Sequence, residues 1–319
     1  MKGSYEVVVK NRRIQYKFTI SRNITILKGD SATGKTTLID MIQAYQNDSD
    51  SSGVSITSTC PCFVLTSNNW ELNLSAKNNS IVFIDEGNAF VNSKDFAKAA
   101  KESTNYYVIA TRNNLFNLPY SITEIYGIKN ISGNKYQQTK RLYSSFYKLY
   151  DKNTLTIKKP ELVIVEDSNS GFQFFNHICG KFNIPCISAS SKSKIYSTVL
   201  KSSQDNIMII ADGAAFGAEI ENVLSLSRVK NIGLYLPESF EWIILNSNLI
   251  KGNDIPTILK NPSNYIESQK YFSWELFFTD LLKKSTHGTY LEYSKKKLNE
   301  AYLQDNEIKA IIKDVPKIF

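Results

Sequence analysis

The chain is 319 residues long, 42% hydrophobic and 21% charged, which is globular composition with enough apolar material for two cores. No run of 18 apolar residues spans a bilayer and MKGSYEVVVKNRR lacks the apolar core of a signal peptide, so a cytoplasmic protein without a membrane partner is expected. Cys60, Cys62, Cys179 and Cys186 are too few for a disulfide framework, and with two histidines in all they exclude an obvious zinc site.

The net charge of +8 is uneven: up to Tyr150 there are 18 Lys and Arg against 11 Asp and Glu, and beyond it 20 against 19. A basic first half is compatible with nucleic-acid contact, and equally with a solvated basic surface.

In chain order, residues 5–20 read as two β-rich runs around Lys10-Asn11-Arg12-Arg13, a hairpin. Ile24–Leu27 is a strand feeding Gly29-Asp30-Ser31-Ala32-Thr33-Gly34-Lys35-Thr36, which matches G-x-x-x-x-G-K-[ST] without a gap and opens a helix running to about Gln46. Glycines at its two ends allow a tight turn whose N–H groups converge on phosphate oxygens, and the helix adds its positive end. Gly29 to Thr37 are therefore the expected nucleotide-binding residues. Lys35 reaches the β- and γ-phosphates, and the Thr36 hydroxyl is a magnesium ligand. ATP and Mg2+ are the expected cofactors.

After a polar stretch, QNDSDSSG, Val54–Ser58 and Cys62–Thr66 read as short strands. Ile81-Val82-Phe83-Ile84 is continuously apolar, as suits a central parallel strand, and ends in Asp85-Glu86. Carboxylates there lie where open α/β sheets bind ligands, so the pair resembles a Walker B motif. Asp85 is then a metal-orienting residue and Glu86 the general base, against the plainer reading of two acids opening a helix. A helix over about Ser93–Glu102 precedes a strand, Tyr106–Ala110, that ends in Thr111-Arg112-Asn113.

These motifs resemble P-loop ATPases of the additional-strand, AAA-like class over about the first 130 residues. The resemblance implies that Thr111 or Asn113 senses the γ-phosphate and that Arg112 acts as a catalytic charge stabiliser, in its own subunit or across a homo-oligomer interface. An exposed loop arginine is the plain alternative. The short interval from Thr36 to Asp85 holds no LSGGQ-like segment, which argues against an ABC-type engine. Ile122–Ile128 is expected to be the last strand of this domain, 1–136.

Residues 137–160, rich in Tyr and Lys, read as a helix leading into a linker. A second strand–helix alternation follows over 161–252: strands Leu162–Val165, Ile184–Ser188, Ile207–Ala211 and Ile232–Leu236, with helices Phe172–Lys181 and Lys194–Lys201 between them. The expected fold class is thus α/β, two parallel sheets, with a helical region over 253–319. Glu166-Asp167 ends the first of these strands and Asp212 the third, so Glu166 and Asp212 are candidate metal ligands.

The layout resembles a TOPRIM domain, the magnesium-binding fold of topoisomerases, primases and OLD-family nucleases. Glu166 matches its first acidic position. Asp212-x-Ala214-x-x-Gly217 matches its Asp-x-Asp in part, with alanine in place of the second aspartate; Glu238 or Glu241 corresponds to a later acid. Lys295-Lys296-Lys297, with Tyr290, Tyr293 and Tyr302, reads as a solvated helix face or a nucleic-acid contact, and His287 as a helix-end residue.

The expectation is an ATP-hydrolysing protein whose ATPase domain regulates a second domain acting on nucleic acid, a magnesium-dependent nuclease being one form of it. The alternatives are a nucleotide-gated binding module without nuclease activity and a small-molecule phosphotransferase.

Overall fold

The computed structural model describes residues 1–29, 33–131, 141–151, 157, 159–252 and 254–316. The chain divides into two compact units. One holds Met1–Leu149 with Pro262–Phe272, the other Tyr150–Asn261 with Ser273–Phe319.

In the first unit, β1 (Tyr5–Lys10), β2 (Ile14–Ile20) and β3 (Ile24–Leu27) lead to α1 (Lys35–Asp48). Then come β4 (Ser55–Thr57), β5 (Cys62–Val64), α2 (Trp70–Ser75), β6 (Ile81–Ile84), α3 (Lys94–Glu102), β7 (Tyr106–Ala110), β8 (Ile125–Asn130) and β9 (Leu142–Lys148). Among the described residues they form one nine-stranded sheet in the order β4-β1-β2-β9-β8-β3-β7-β6-β5. β5, β6, β7, β3 and β8 run parallel, while β1 is antiparallel to β2 and β4.

The inner strands β3, β6 and β7 are buried at every position, which is why they are apolar throughout and do not alternate. α1 lays Leu38, Ile39, Met41 and Ile42 against Val7, Val9, Tyr16, Phe18 and Ile20 on one face. On the opposite face Phe96 of α3 meets Tyr107 edge-on, with ring centroids 5.6 Å apart. Ser93 caps α3 by accepting from Phe96 N at 3.0 Å.

In the second unit, β10 (Leu162–Val165), α4 (Ser170–Lys181), β11 (Cys186–Ser188), α5 (Lys192–Lys201), β12 (Asn206–Ile210), α6 (Ile220–Ser225) and β13 (Asn231–Tyr235) build a four-stranded sheet, order β11-β10-β12-β13. All its pairs are parallel. α7 (Phe240–Asn246), α8 (Ile255–Lys260), α9 (Trp274–Thr286) and α10 (Asp305–Ile311) follow. The α/β class with two sheets therefore holds; the first sheet is mixed rather than wholly parallel.

Several expectations are corrected. Leu142–Lys148, expected in a helix, is β9, because it pairs with β2 on one side and β8 on the other, and two ladders outweigh local preference. The last strand of the first unit is thus β9, not Ile122–Ile128. There, Ile122–Glu124 is a single 3-10 turn capped by Ser121, and β8 begins only at Ile125. The remainder of the expected 137–160 linker helix lies largely outside the described residues. The 253–319 region is not one body: residues 262–272 return to the first unit, with Gly3 N donating to Ser263 O at 2.7 Å and Asn23 Nδ2 to Ser268 O at 2.9 Å. Lys295–Lys297 form a loop, not a helix. His287 does close α9. No helix among the described residues is long and apolar enough to cross a membrane.

Candidate functional site

The parallel topology sets the ends of β3, β7 and β6 side by side, since β7 pairs with both of the others. Those three C-terminal ends carry Gly29, Thr111 and Asp85, so residues up to 82 positions apart in sequence share one rim of the sheet.

At the β3 end, Gly29 (φ +137°) and Gly34 (φ +94°) both lie in the conformational region that side chains rarely adopt. Asp30, Ser31 and Ala32 lie outside the described residues. At Gly34 there is also no room: a Cβ would sit 2.8 Å from the Tyr16 hydroxyl, which itself donates to Gly34 O at 3.0 Å. Tyr16 thereby braces the loop from β2, and an aromatic residue in a hairpin gives no sequence sign of such a role.

Lys35 folds back over the loop. Its ammonium donates to Gly29 O at 2.6 Å and to Thr33 Oγ1 at 3.2 Å, and the residue is only 5% exposed. α1 starts without a side-chain cap and without an acid in its own first turn. The Thr36 hydroxyl stands 3.5 Å from Asp85 Oδ1. That contact sets side by side the two motifs that the sequence led one to expect together at the strand ends.

Glu86 lies beside Asp85 and is exposed; its Oε1 takes an ion pair from Arg112 Nε at 2.6 Å. Arg112 is thus engaged with the expected general base in this structure. Thr111 N donates to Leu27 O at 3.1 Å, tying the β7 end to the β3 end, and its Oγ1 accepts from Asn113 N at 3.0 Å. Asn88, which the sequence did not single out, holds the turn after β6: its Nδ2 donates to Asp85 O at 2.8 Å and its Oδ1 accepts from Ser67 at 2.7 Å.

The second unit gathers a different set of groups. In the order β11-β10-β12-β13 the chain reverses direction of winding between β10 and β12, and Glu166, Asp167 and Asp212 follow those two strands. Val165, Gly171, Phe175, Pro237, Phe240 and Ile243 close around them, leaving a cavity of about 20 Å3, room for one water-sized occupant.

The carboxylates are already committed. Glu166 Oε2 accepts from Asp212 N at 2.9 Å, Asp212 Oδ1 from Phe240 N at 3.1 Å, and Asp167 Oδ1 from Phe172 N at 2.9 Å. Gly213 permits this packing, because a Cβ there would lie 2.5 Å from Leu236 O.

Glu241 and Glu275 join the cluster from α7 and α9. Burial pushes Glu166 up to about 7, with the charges of Glu275 and Asp167 adding to it. Burial also raises Asp212 well above the usual carboxylate range, helped by Glu275, Glu166 and Glu241, and raises Asp167 and Glu275. Burial works against the charge of Lys295, yet the carboxylates of Glu241, Asp212 and Glu275 outweigh it and raise that lysine. Lys295 Nζ stands 3.6 Å from Glu241 Oε1, which also accepts from Tyr293 Oη at 2.8 Å.

The expected metal role of Glu166 and Asp212 does not fit this arrangement. One oxygen of each serves a backbone N–H group, and Lys295 is a resident counter-charge. Among the described residues no three His, Cys, Asp or Glu side chains are gathered to hold a metal ion. Of the two acids that join from the helices, Glu241 is one of the two later acids expected from the resemblance, while Glu275 was out of reach of sequence reading, since nothing local distinguishes a carboxylate on an amphipathic helix that turns inward. No model of a known protein family matches the chain, and no curated protein matches it in sequence.

Proposed function

We propose that the protein binds and hydrolyses a nucleoside triphosphate, ATP in the first instance, in its first unit, and that the nucleotide state governs action on nucleic acid. The observation that carries the reading is the joining of Lys35, Thr36 and Asp85 on one rim: a buried lysine over a glycine-bounded loop, with a hydroxyl–carboxylate pair beside it. The loop amides and the free end of α1 bind phosphate oxygens, and Lys35 exchanges its bonds to Gly29 O and Thr33 for the β- and γ-phosphates. Thr36 and Asp85 would hold Mg2+, which supplies neutralisation of phosphate charge when bound. Glu86 takes the proton of the attacking water as general base, and Arg112 orients that carboxylate through its ion pair. The resemblance to additional-strand, AAA-like ATPases is in keeping with this set of residues.

The test separates binding from turnover. Glu86→Gln is expected to keep nucleotide binding while lowering hydrolysis by about 10²- to 10⁴-fold, measured by phosphate release and by equilibrium binding of a fluorescent ATP analogue. Undiminished hydrolysis in that variant rules out the assignment of the base. The nuclease form of the second unit has no support from its carboxylates, so action on nucleic acid is proposed as binding.

A further inference from the structure

The strands β1, β2, β9 and β8 have one face under α1 and another that, among the described residues, no helix of the first unit covers. Pairing fixes which residues share the open face: Glu6, Val8 and Lys10 on β1; Gln15, Lys17 and Thr19 on β2; Tyr143, Ser145 and Tyr147 on β9; Gly127 and Lys129 on β8. Their partners one position along, such as Val9, Tyr16, Phe18 and Ile128, are the buried set. Glu6, Lys17, Thr19, Lys129 and Tyr147 are exposed, which confirms that the face is open.

Tyr147 is placed in an unusual way. A Cβ on its cross-strand neighbour Gly127 would meet Tyr147 Cε1 and Cζ at 2.6 Å and Oη at 2.7 Å. Near-equal distances to two ring carbons and the phenol oxygen mean that the hydroxyl end of the ring lies face-on across the glycine, filling the place of the missing side chain. One π-face therefore rests on the sheet, and Tyr147 as a residue remains 40% exposed. Lys129 Nζ stands over the ring, 5.6 Å from its centroid, so a base that stacks there takes the place of this ammonium and leaves it for a phosphate. The face carries Lys10, Lys17 and Lys129 against Glu6, which pairs with Lys17 at 3.0 Å across exposed side chains, and Arg12 and Arg13 are exposed in the turn that joins β1 to β2.

We infer that this face is a platform for single-stranded nucleic acid, on which a base stacks on Tyr147 while Lys129, Lys17 and Lys10 contact the backbone phosphates. The inference rests on the proposed nucleic-acid output and names the surface and strand class for it. A flat, exposed ring among cations offers a π-surface that any base can use, and a base in an intact duplex is already stacked and cannot reach it. The same strand β2 presents Tyr16 to the phosphate loop from its other face, which puts the platform one side chain away from the nucleotide site.

The experiment is fluorescence anisotropy of the full chain, without nucleotide, against a labelled oligothymidylate of about 20 residues and a duplex of equal length. The single strand is expected to bind at least about tenfold more tightly than the duplex. Tyr147→Ala should weaken it about tenfold, and Tyr147→Phe should leave it unchanged because the ring is kept. Lys129→Ala and Lys17→Ala should each flatten the slope of log affinity against log salt by about 0.7. No binding, equal binding of the duplex, or indifference to Tyr147→Ala overturns the inference. Tyr147→Ala is expected to hydrolyse ATP at the rate of the unaltered chain, which also reports that it folds. Because binding is read without nucleotide, an inactive ATPase site leaves the platform standing, and an inert platform leaves the ATPase reading standing.

Discussion

Both units place carboxylates at the C-terminal ends of neighbouring parallel strands, yet the two sites are chemically opposite. In the first, Asp85 faces a hydroxyl and Glu86 is exposed, beside a loop of glycines and a folded-back lysine. In the second, Glu166, Asp167 and Asp212 sit beneath Phe175 and Phe240 and spend their oxygens on the backbone. Topology chooses where a site lies; the residues after each strand choose what it can bind. Gly29 and Gly34, both at positive φ, bound the loop before α1, whereas the turn Ser168-Asn169-Ser170-Gly171 starts α4 at once and Phe172 N of that helix donates to Asp167.

The comparison can be broken most sharply at the first site. Lys35→Ala is expected to lower nucleotide affinity by about 10²-fold or more, because the charge-assisted bonds to phosphate have no substitute in the loop. Titration with a fluorescent ATP analogue checks it; unchanged affinity would make the loop a structural turn like its counterpart.

In the second unit the largest change is expected from Gly213→Ala, where the new methyl meets Leu236 O and Pro237 O. A loss of about 1–3 kcal/mol in unfolding free energy follows, read by denaturant titration.

The buried carboxylates predict a pH dependence of definite sign. Glu166 is raised from 4.5 to about 7 in the folded chain, so the native state holds its proton over a range where the unfolded state has released it. Stability is accordingly full below about pH 4.5 and falls as pH rises toward about 7, by about 1–3 kcal/mol. Glu166→Gln should flatten that slope in thermal melts between those limits. A slope that persists would assign it to Asp212 or Glu275.

The smallest expected effect is at Arg112. Arg112→Ala should lower kcat about tenfold, roughly 1.4 kcal/mol, with nucleotide affinity little changed, since the arginine acts through the orientation of Glu86. Equal losses in affinity and kcat would place its guanidinium on the nucleotide instead.

The sequence by itself determined the strands that are buried on both faces, since Ile24–Leu27, Ile81–Ile84, Tyr106–Ala110 and Leu162–Val165 are apolar throughout and admit few other structures. It also determined the glycine loop, because φ values such as those of Gly29 and Gly34 leave little choice of residue. Only the tertiary structure decided β9, whose Tyr-, Ser- and Lys-rich pattern carries no period and becomes a strand through pairing on both sides. It alone decided that residues 262–272 belong with the first unit, a matter of long-range hydrogen bonds to Gly3 and Asn23. The same holds for what surrounds each carboxylate. A sequence places an acid at the end of a strand, but whether that acid meets a hydroxyl and solvent or a phenyl ring and a backbone amide depends on side chains brought from distant elements. At Asp85 the partner is Thr36, and at Asp212 it is the amide of Phe240.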